Sequence, residues 1–261
     1  QSVITHYPLR GKESLDDYTF PDPEASGRFD LAEQLTRKWR DTYAVSGTWG
    51  QGFFSQAWFL RGFEDVILDM TIRPRFAEQL LDKLLDFFSS VGKRLVEIGV
   101  DVIAIGDDVA MQTSMMISPK LWRKFIKPRM KKLIDDLKDA YILYHSDGNC
   151  EAIIPDLIEI GVDILNPIQP ECMNPAKIKK VYGDKIALSG AIGIQDLLPY
   201  GAVEDVGKEV IARIRECAPG GGFILSPANQ VLLDVKIENF LAIYETAKEF
   251  GKYPIRLLRL N

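Results

Sequence analysis

The sequence is short of several things, and each shortage closes off a class of protein. Its 261 residues include three cysteines, Cys150, Cys172 and Cys217. An odd count without framework spacing excludes a disulfide-stapled scaffold and implies free thiols in a reducing compartment, the cytoplasm. No apolar run approaches the roughly 20 residues that cross a bilayer, and no signal peptide opens the chain. Positive charge is not in excess: 32 Lys and Arg against 37 Asp and Glu leave a net charge of −5, which argues against a nucleic-acid partner. The one basic cluster, "WRKFIKPRMKK" at 122–132, is followed by aspartates and reads as a solvated helix face. Histidine is scarcest of all, with only His6 and His145.

What is present is a rhythm. The opening "QSVITHYPLRGKESLDDYTFPDPEASGRF" reads as loop and starts without Met, as a processed product or a fragment of a longer domain would. From residue 43, six short apolar runs recur: "YAVSGTW" (43–49), "DVIAIGDD" (101–108), "AYILYHSD" (140–147), "VDILNP" (162–167), "KIALSGAI" (185–192) and "GFILSP" (222–227). Each ends in small or polar residues, as buried parallel strands do. Between them lie helical patterns. Phe76, Leu80, Leu84, Phe87, Val91 and Leu95 mark one apolar face over 74–98. Ser118-Pro119 opens a helix that Pro128 should interrupt. Further helices are expected over 153–160, stopped by Gly161, from Asn174-Pro175 to Gly183, and over 204–217 and 236–250. Strand–helix alternation predicts an α/β fold with a parallel sheet. A doubly wound sheet would carry a Gly-rich turn into a helix after the first strand, and "GTWGQG" at 47–52 has no clean helix start behind it. Polar residues after nearly every strand favour a TIM-type (β/α)8 barrel. With six strands counted, one or two would be missing ahead of residue 43. The whole chain, 1–261, reads as one such barrel domain, with 1–40 mostly loop and short helix.

The candidate chemistry lies at the carboxyl ends of the strands. His145 ends an apolar run, where an imidazole can bind metal or move protons near neutral pH. Asp147 would share its face if the strand continued. Asp147-Gly148 is equally a turn dipeptide, so ligand and turn both stay open. Asp107 and Asp108 follow "VIAIG", and alternation turns one into the barrel mouth and the other away. Glu171 and Cys172 sit in the proline-stiffened loop "NPIQPECMNP", and either could complete a zinc site with His145, although Cys172 reads better as a buried thiol. Cys150 and Cys217 read as core. Trp49, Gln51 and Trp58 lie in an aromatic-rich stretch that suits an apolar wall for a flat ligand. Asn166, Asn229 and Gln230 could orient a substrate. The triple glycine at 220–222 precedes its strand, so it reads as a turn rather than a phosphate cradle.

Taken in order, "GFFSQAWFLRGFED", "DVIAIGDDVAMQTSMMISPKLWRKFIKPRMKKLI", "YHSDGN", "GVDILNPIQP", "ALSGAIGIQDLLPYG" and "APGGGFILSPANQ" resemble the uroporphyrinogen decarboxylase superfamily over residues 10–255. That resemblance implies a (β/α)8 barrel. It also implies one of two activities, cofactor-free porphyrinogen decarboxylation or zinc-dependent methyl transfer with corrinoid proteins. The decarboxylase branch has an arginine-rich amino-terminal motif that finds no match here. It has a tyrosine where Trp58 stands and a histidine where Asn229 and Gln230 stand. The coenzyme M methyltransferase branch binds zinc through His-x-Cys and a later cysteine. His145 matches the first ligand, Asp147 stands at the second, and the third falls near Ala228. The pattern is similar to methyltransferases that demethylate methoxylated or methylamine-like compounds.

The expected function is therefore metal-dependent methyl transfer between a small methylated substrate and a corrinoid protein. His145, Asp147 and Glu171 would hold zinc, and Asp107, Asp108 and His145 would be catalytic. Trp49, Gln51, Trp58, Asn166, Asn229 and Gln230 would bind substrate. A porphyrinogen decarboxylase, with Arg61 and Arg73 as the nearby cations, is the alternative. A third reading is a catalytically inactive barrel remnant that binds a ligand or a partner, its exposed strand edges favouring a homodimer.

Overall fold

A computed structural model describes residues 4–255; the first three positions of the opening segment lie outside the described residues. The rest of that segment is turn and loop as far as the first helix, α1 (Asp30–Trp39). Six strands form close to their expected places, three in each of two compact units and parallel to their neighbours within each, so the α/β class holds. No helix among the described residues is long and apolar enough to cross a membrane.

The residues fall into two compact units. The first holds the chain to Val109, Met115–His145 and Ala152–Val162. Its strands are β1 (Ser46–Gln51), β2 (Val102–Gly106) and β3 (Tyr141–His145). Its helices after α1 are α2 (Phe53–Arg61), α3 (Phe63–Ile72), α4 (Pro74–Ile98), α5 (Pro119–Phe125), α6 (Lys127–Asp136) and α7 (Ile154–Ile160). The amphipathic stripe of α4 is as expected except that Phe88, not Phe87, is the buried aromatic. Gly99 and Gly161, both left-handed, end α4 and α7. The Ser118 side chain caps α5, and the helix breaks at Ile126, two residues before Pro128. The basic cluster is less solvated than expected. Arg123 and Lys127 both pair with Asp156, and Arg129 pairs with Asp82.

Helices α2 and α3 were not foreseen. Phe53, directly after "GTWGQG", starts α2, and Phe53 and Phe54 are fully buried. At its far end Arg61 is fully buried as well. Its Nε meets Asp69 Oδ2 at 2.8 Å, its guanidinium lies 4.5 Å from the Phe76 ring centre, and it donates to the carbonyls of Leu9 and Lys12. Arg73 completes the pair at 2.6 Å from Asp69 Oδ1. Arg61 thus ties the opening segment to α2 and α3. Arg61→Ala strands the Asp69 carboxylate with one partner and frees that segment. It is expected to destabilise the chain by about 3–5 kcal/mol, read as a lowered urea midpoint.

The second unit holds Ala110–Ser114, Ser146–Glu151 and the chain from Asp163. Its strands are β4 (Ile164–Ile168), β5 (Ala187–Ile192) and β6 (Phe223–Pro227). Its helices are α8 (Pro175–Tyr182), α9 (Leu197–Tyr200), α10 (Val203–Cys217) and α11 (Ile237–Phe250). Asn174 caps α8 through its side chain, and Pro175 takes the first turn. Val206, Val210 and Ile214 of α10 bury against Ala242 and Ile243 of α11, with Ile192 and Leu198 in the same cluster.

Candidate functional site

The site begins where β2 and β3 end. The two strands pair in unbroken register, Gly106 opposite His145, and Asp107 N–H still donates to the His145 carbonyl at 2.8 Å. Burial alternates through this rim. Ile103 and Ile105 on β2 and Asp107 just past it are buried, as are Ile142 and Tyr144 on β3 and Ser146 just past it; Asp108, His145 and Asp147 fall on half-open positions of the same alternation. The two adjacent aspartates therefore divide, as alternation requires.

Asp107 turns away from solvent and under α2. Gly52, the residue before that helix, has no side chain to cap it. Asp107 supplies the cap from another element. Its Oδ1 accepts from Ser55 N–H at 2.9 Å, and its carboxylate also takes the Phe54 amide. These are the second and third residues of the helix, whose N–H groups a local cap would satisfy. The other oxygen, Oδ2, is buried and finds no hydrogen-bond partner among the described residues. Burial pushes the carboxyl up to about 7, against the downward pull of the Ser55 and Phe54 amides. Asp107 was expected to be catalytic; it is a buried helix cap beneath the rim.

Asp108 turns to the open side. Its Oδ1 lies 3.8 Å from His145 Nε2, with both side chains about one-third exposed. Its N–H donates to Ser55 Oγ at 2.9 Å. Two peptide bonds beyond His145 comes Asp147. One ligand atom from each of Asp108, His145 and Asp147 lies within 4.8 Å of the other two. In the second unit, Asn229 Nδ2 donates a short hydrogen bond to Asp147 Oδ2, and Gln230 N–H donates to Asn229 Oδ1 at 2.6 Å. Asn229, read from sequence as a substrate contact, holds a carboxylate.

The other expected residues are placed as follows. Glu171 Oε1 accepts from Gln195 N–H at 3.2 Å, and a Cβ on Gly193 would stand 2.7 Å from it, so this carboxylate braces its own loop. It is not in the three-residue group. Asn166 Nδ2 donates to Ser189 Oγ at 2.9 Å. Trp49 stacks on Phe88 of α4, with ring centres 5.4 Å apart. Trp58 packs edge-on to Phe59 at 4.2 Å. Gln51 ends β1 opposite Gly106. Of the thiols, Cys150 and Cys217 are buried, and burial raises them to about 12 and about 11; Cys172 is half-buried and also raised.

Sequence reasoning missed Ser55 and Gly52. A Cβ at Gly52 would lie 2.6 Å from the Asp107 Cβ, so only glycine fits there. The signal was present as a small residue ahead of an aromatic run. Its meaning depends on an aspartate 55 positions later.

An imidazole and two carboxylates fit zinc, which takes nitrogen and oxygen donors in this combination. They fit harder divalent ions as well.

Known proteins are similar to this chain over most of its length. A methylated-thiol–coenzyme M methyltransferase of Methanosarcina mazei is 24% identical over 239 residues, covering 90% of this chain and 62% of the relative. A methylcobamide:CoM methyltransferase MtaA of Methanosarcina barkeri is 29% identical over 173 residues, covering 66% and 49%. This chain thus spans about half to two-thirds of their length. A uroporphyrinogen decarboxylase of Nostoc punctiforme is 24% identical over 259 residues, covering 95% of this chain and 70% of the relative. Among solved structures, a methyltransferase from Methanosarcina mazei superposes with a TM-score of 0.73 at 24% identity, over 85% of this chain and 63% of that one, which fixes the fold. The uroporphyrinogen decarboxylase family model matches residues 2–250, and the chain belongs to that family.

Proposed function

We propose that this chain is a metal-dependent methyltransferase, moving a methyl group between a small methylated substrate and a corrinoid protein. The observation that carries the reading is the group of Asp108, His145 and Asp147, three donors able to share one ion. The methyltransferase names of the relatives support it.

His145 Nε2, Asp108 and Asp147 would hold zinc, which when bound supplies Lewis acidity toward the heteroatom bearing the methyl group. The chain's own work is positioning. Asn229 fixes Asp147, and the start of α2 fixes Asp108. A corrinoid, when bound on a partner, would supply the electron pair that takes up the methyl group, and the heteroatom would keep the pair of the bond it loses. With Asp147 where the coenzyme M branch has cysteine, the donor set is oxygen-rich rather than thiolate-rich.

The porphyrinogen decarboxylase reading rests on relatives of that name that match most of the chain. It needs cations free to meet the acidic side chains of a tetrapyrrole. Arg61 is fully buried on Asp69, and Arg73 is bound to the same carboxylate, so the two arginines offered for that role are engaged.

The test is direct. Zinc-loaded protein incubated with reduced cobalamin and a panel of methyl ethers, methylamines and methyl thioethers is expected to convert cob(I)alamin to methylcobalamin with at least one donor class. No conversion with any class, together with carbon dioxide release from uroporphyrinogen, would replace this reading with the decarboxylase.

A further inference from the structure

Ser55 is buried, lies on no strand end and carries no charge, yet it touches both rim aspartates. Its N–H donates to Asp107 Oδ1 and its Oγ accepts from Asp108 N–H, each at 2.9 Å. Gly52 N–H donates to the Gly106 carbonyl, and the missing Cβ of Gly52 leaves room for the Asp107 side chain. The start of α2 and the end of β2 therefore lock to each other through three hydrogen bonds, in both directions. The arrangement has the logic of a capping box, one group giving and one taking, but it joins two elements instead of one turn.

The lock bears on chemistry because of where Asp108 sits. Asp108 lies two residues past the end of β2, and its N–H is held by Ser55 Oγ. Its side chain faces His145 at 3.8 Å. A change in the Asp108 amide direction rotates its Cβ and moves the carboxylate relative to the imidazole. Ser55 Oγ is the group that fixes that amide.

We propose that Ser55 is a positioning residue for the site. By accepting the Asp108 N–H while Asp107 holds the Ser55 N–H, it sets the separation of the Asp108 carboxylate from His145. The metal consequence rests on the function proposed above; the positioning itself does not.

The experiment compares Ser55→Ala, Ser55→Thr and Ser89→Ala with the unaltered chain. Ser89 Oγ bonds Asp136 at 2.7 Å, away from the rim, so its loss costs one side-chain hydrogen bond without touching Asp108. Amide hydrogen exchange is measured on chelator-treated protein, and zinc affinity by competition with a chromophoric chelator. Ser55→Ala is expected to exchange the Asp108 amide faster and to bind zinc ~10–100-fold more weakly, the range that groups orienting a ligand command. Ser55→Thr, which keeps the hydroxyl, should return both toward the unaltered values. Ser89→Ala should move neither, whatever it does to the melting temperature. The inference is overturned if Ser55→Ala leaves the Asp108 amide as protected as before, or if Ser89→Ala weakens zinc as much as Ser55→Ala does. An unaltered chain that binds no zinc defeats the metal reading alone, and the exchange comparison then decides whether Ser55 positions Asp108.

Discussion

His145→Ala is expected to bind zinc on the order of 100-fold or more weakly than the unaltered chain, beyond what loss of an orienting partner costs. The imidazole is the one nitrogen donor among the three grouped side chains, and the remaining Asp108 and Asp147 offer oxygen alone. Two carboxylates left without a cation or an imidazole repel one another, so the site loses order as well as a ligand. A chelator-competition titration reads the affinity, and cobalt substituted for zinc reports the nitrogen donor in its visible spectrum. His6→Ala is the matched control, because the second histidine is exposed in the opening segment. Asp108→Asn should fall between the two, keeping an oxygen and losing its charge. Binding should also weaken in acid, since the ligand nitrogen must be free of its proton. A full stoichiometry of zinc in His145→Ala at unaltered affinity would remove the site from consideration.

The second large effect concerns pH and Asp107. Burial, opposed by the Ser55 and Phe54 amides, places this carboxyl at about 7 in the folded chain. An unfolded aspartate titrates near 3.9. Between those values the folded chain holds a proton that the unfolded chain has released. Stability must then fall as pH rises from about 4 to about 7, and level off above. The full contribution is on the order of 4 kcal/mol, set by the separation of the two values. Asp107→Asn keeps an oxygen to accept from Ser55 N–H and removes the ionisation. Urea midpoints of metal-free protein from pH 5 to pH 8 should therefore converge at the acid end and separate at the alkaline end, with Asp107→Asn the more stable. Subtracting the two curves cancels the other titrating groups. An original chain that gains on Asp107→Asn as pH rises would show the carboxyl ionising freely inside, contrary to its surroundings.

Much of the architecture could be read before any coordinates. All six strands showed as short apolar runs, and α4, α5, α7 and α8 carried their own punctuation in Gly99, Ser118-Pro119, Gly161 and Asn174-Pro175. Local signals sufficed because local groups satisfied the helix ends. The failure at α2 has the converse cause. Its cap is Asp107, far along the chain, and a window around "GQGFFSQAW" contains nothing that shows it. The same distance hid the roles of the two aspartates. Which one is buried depends on the phase of a ladder, and the His145 carbonyl that sets the phase belongs to another strand. The closeness of His145 and Asp147 was legible because they lie two residues apart. Glu171 looked equally available, since sequence shows a carboxylate in a loop but not the Gln195 amide that engages it. Arg61, offered from sequence as a cation for a tetrapyrrole, proved to be the centre of a buried clamp.

The first turn of α2 has a bearing on how such a chain can change over generations. Phe53 and Phe54 fill the interior, and Ser55 is the very next residue. Drift in the volume of those two aromatics shifts the same short stretch of backbone that secures an acidic side chain at the rim. Interior substitutions here are thus inherited together with altered chemistry, and lineages that exchange one ion or substrate for another are expected to carry paired replacements at 53–55 and 107–108.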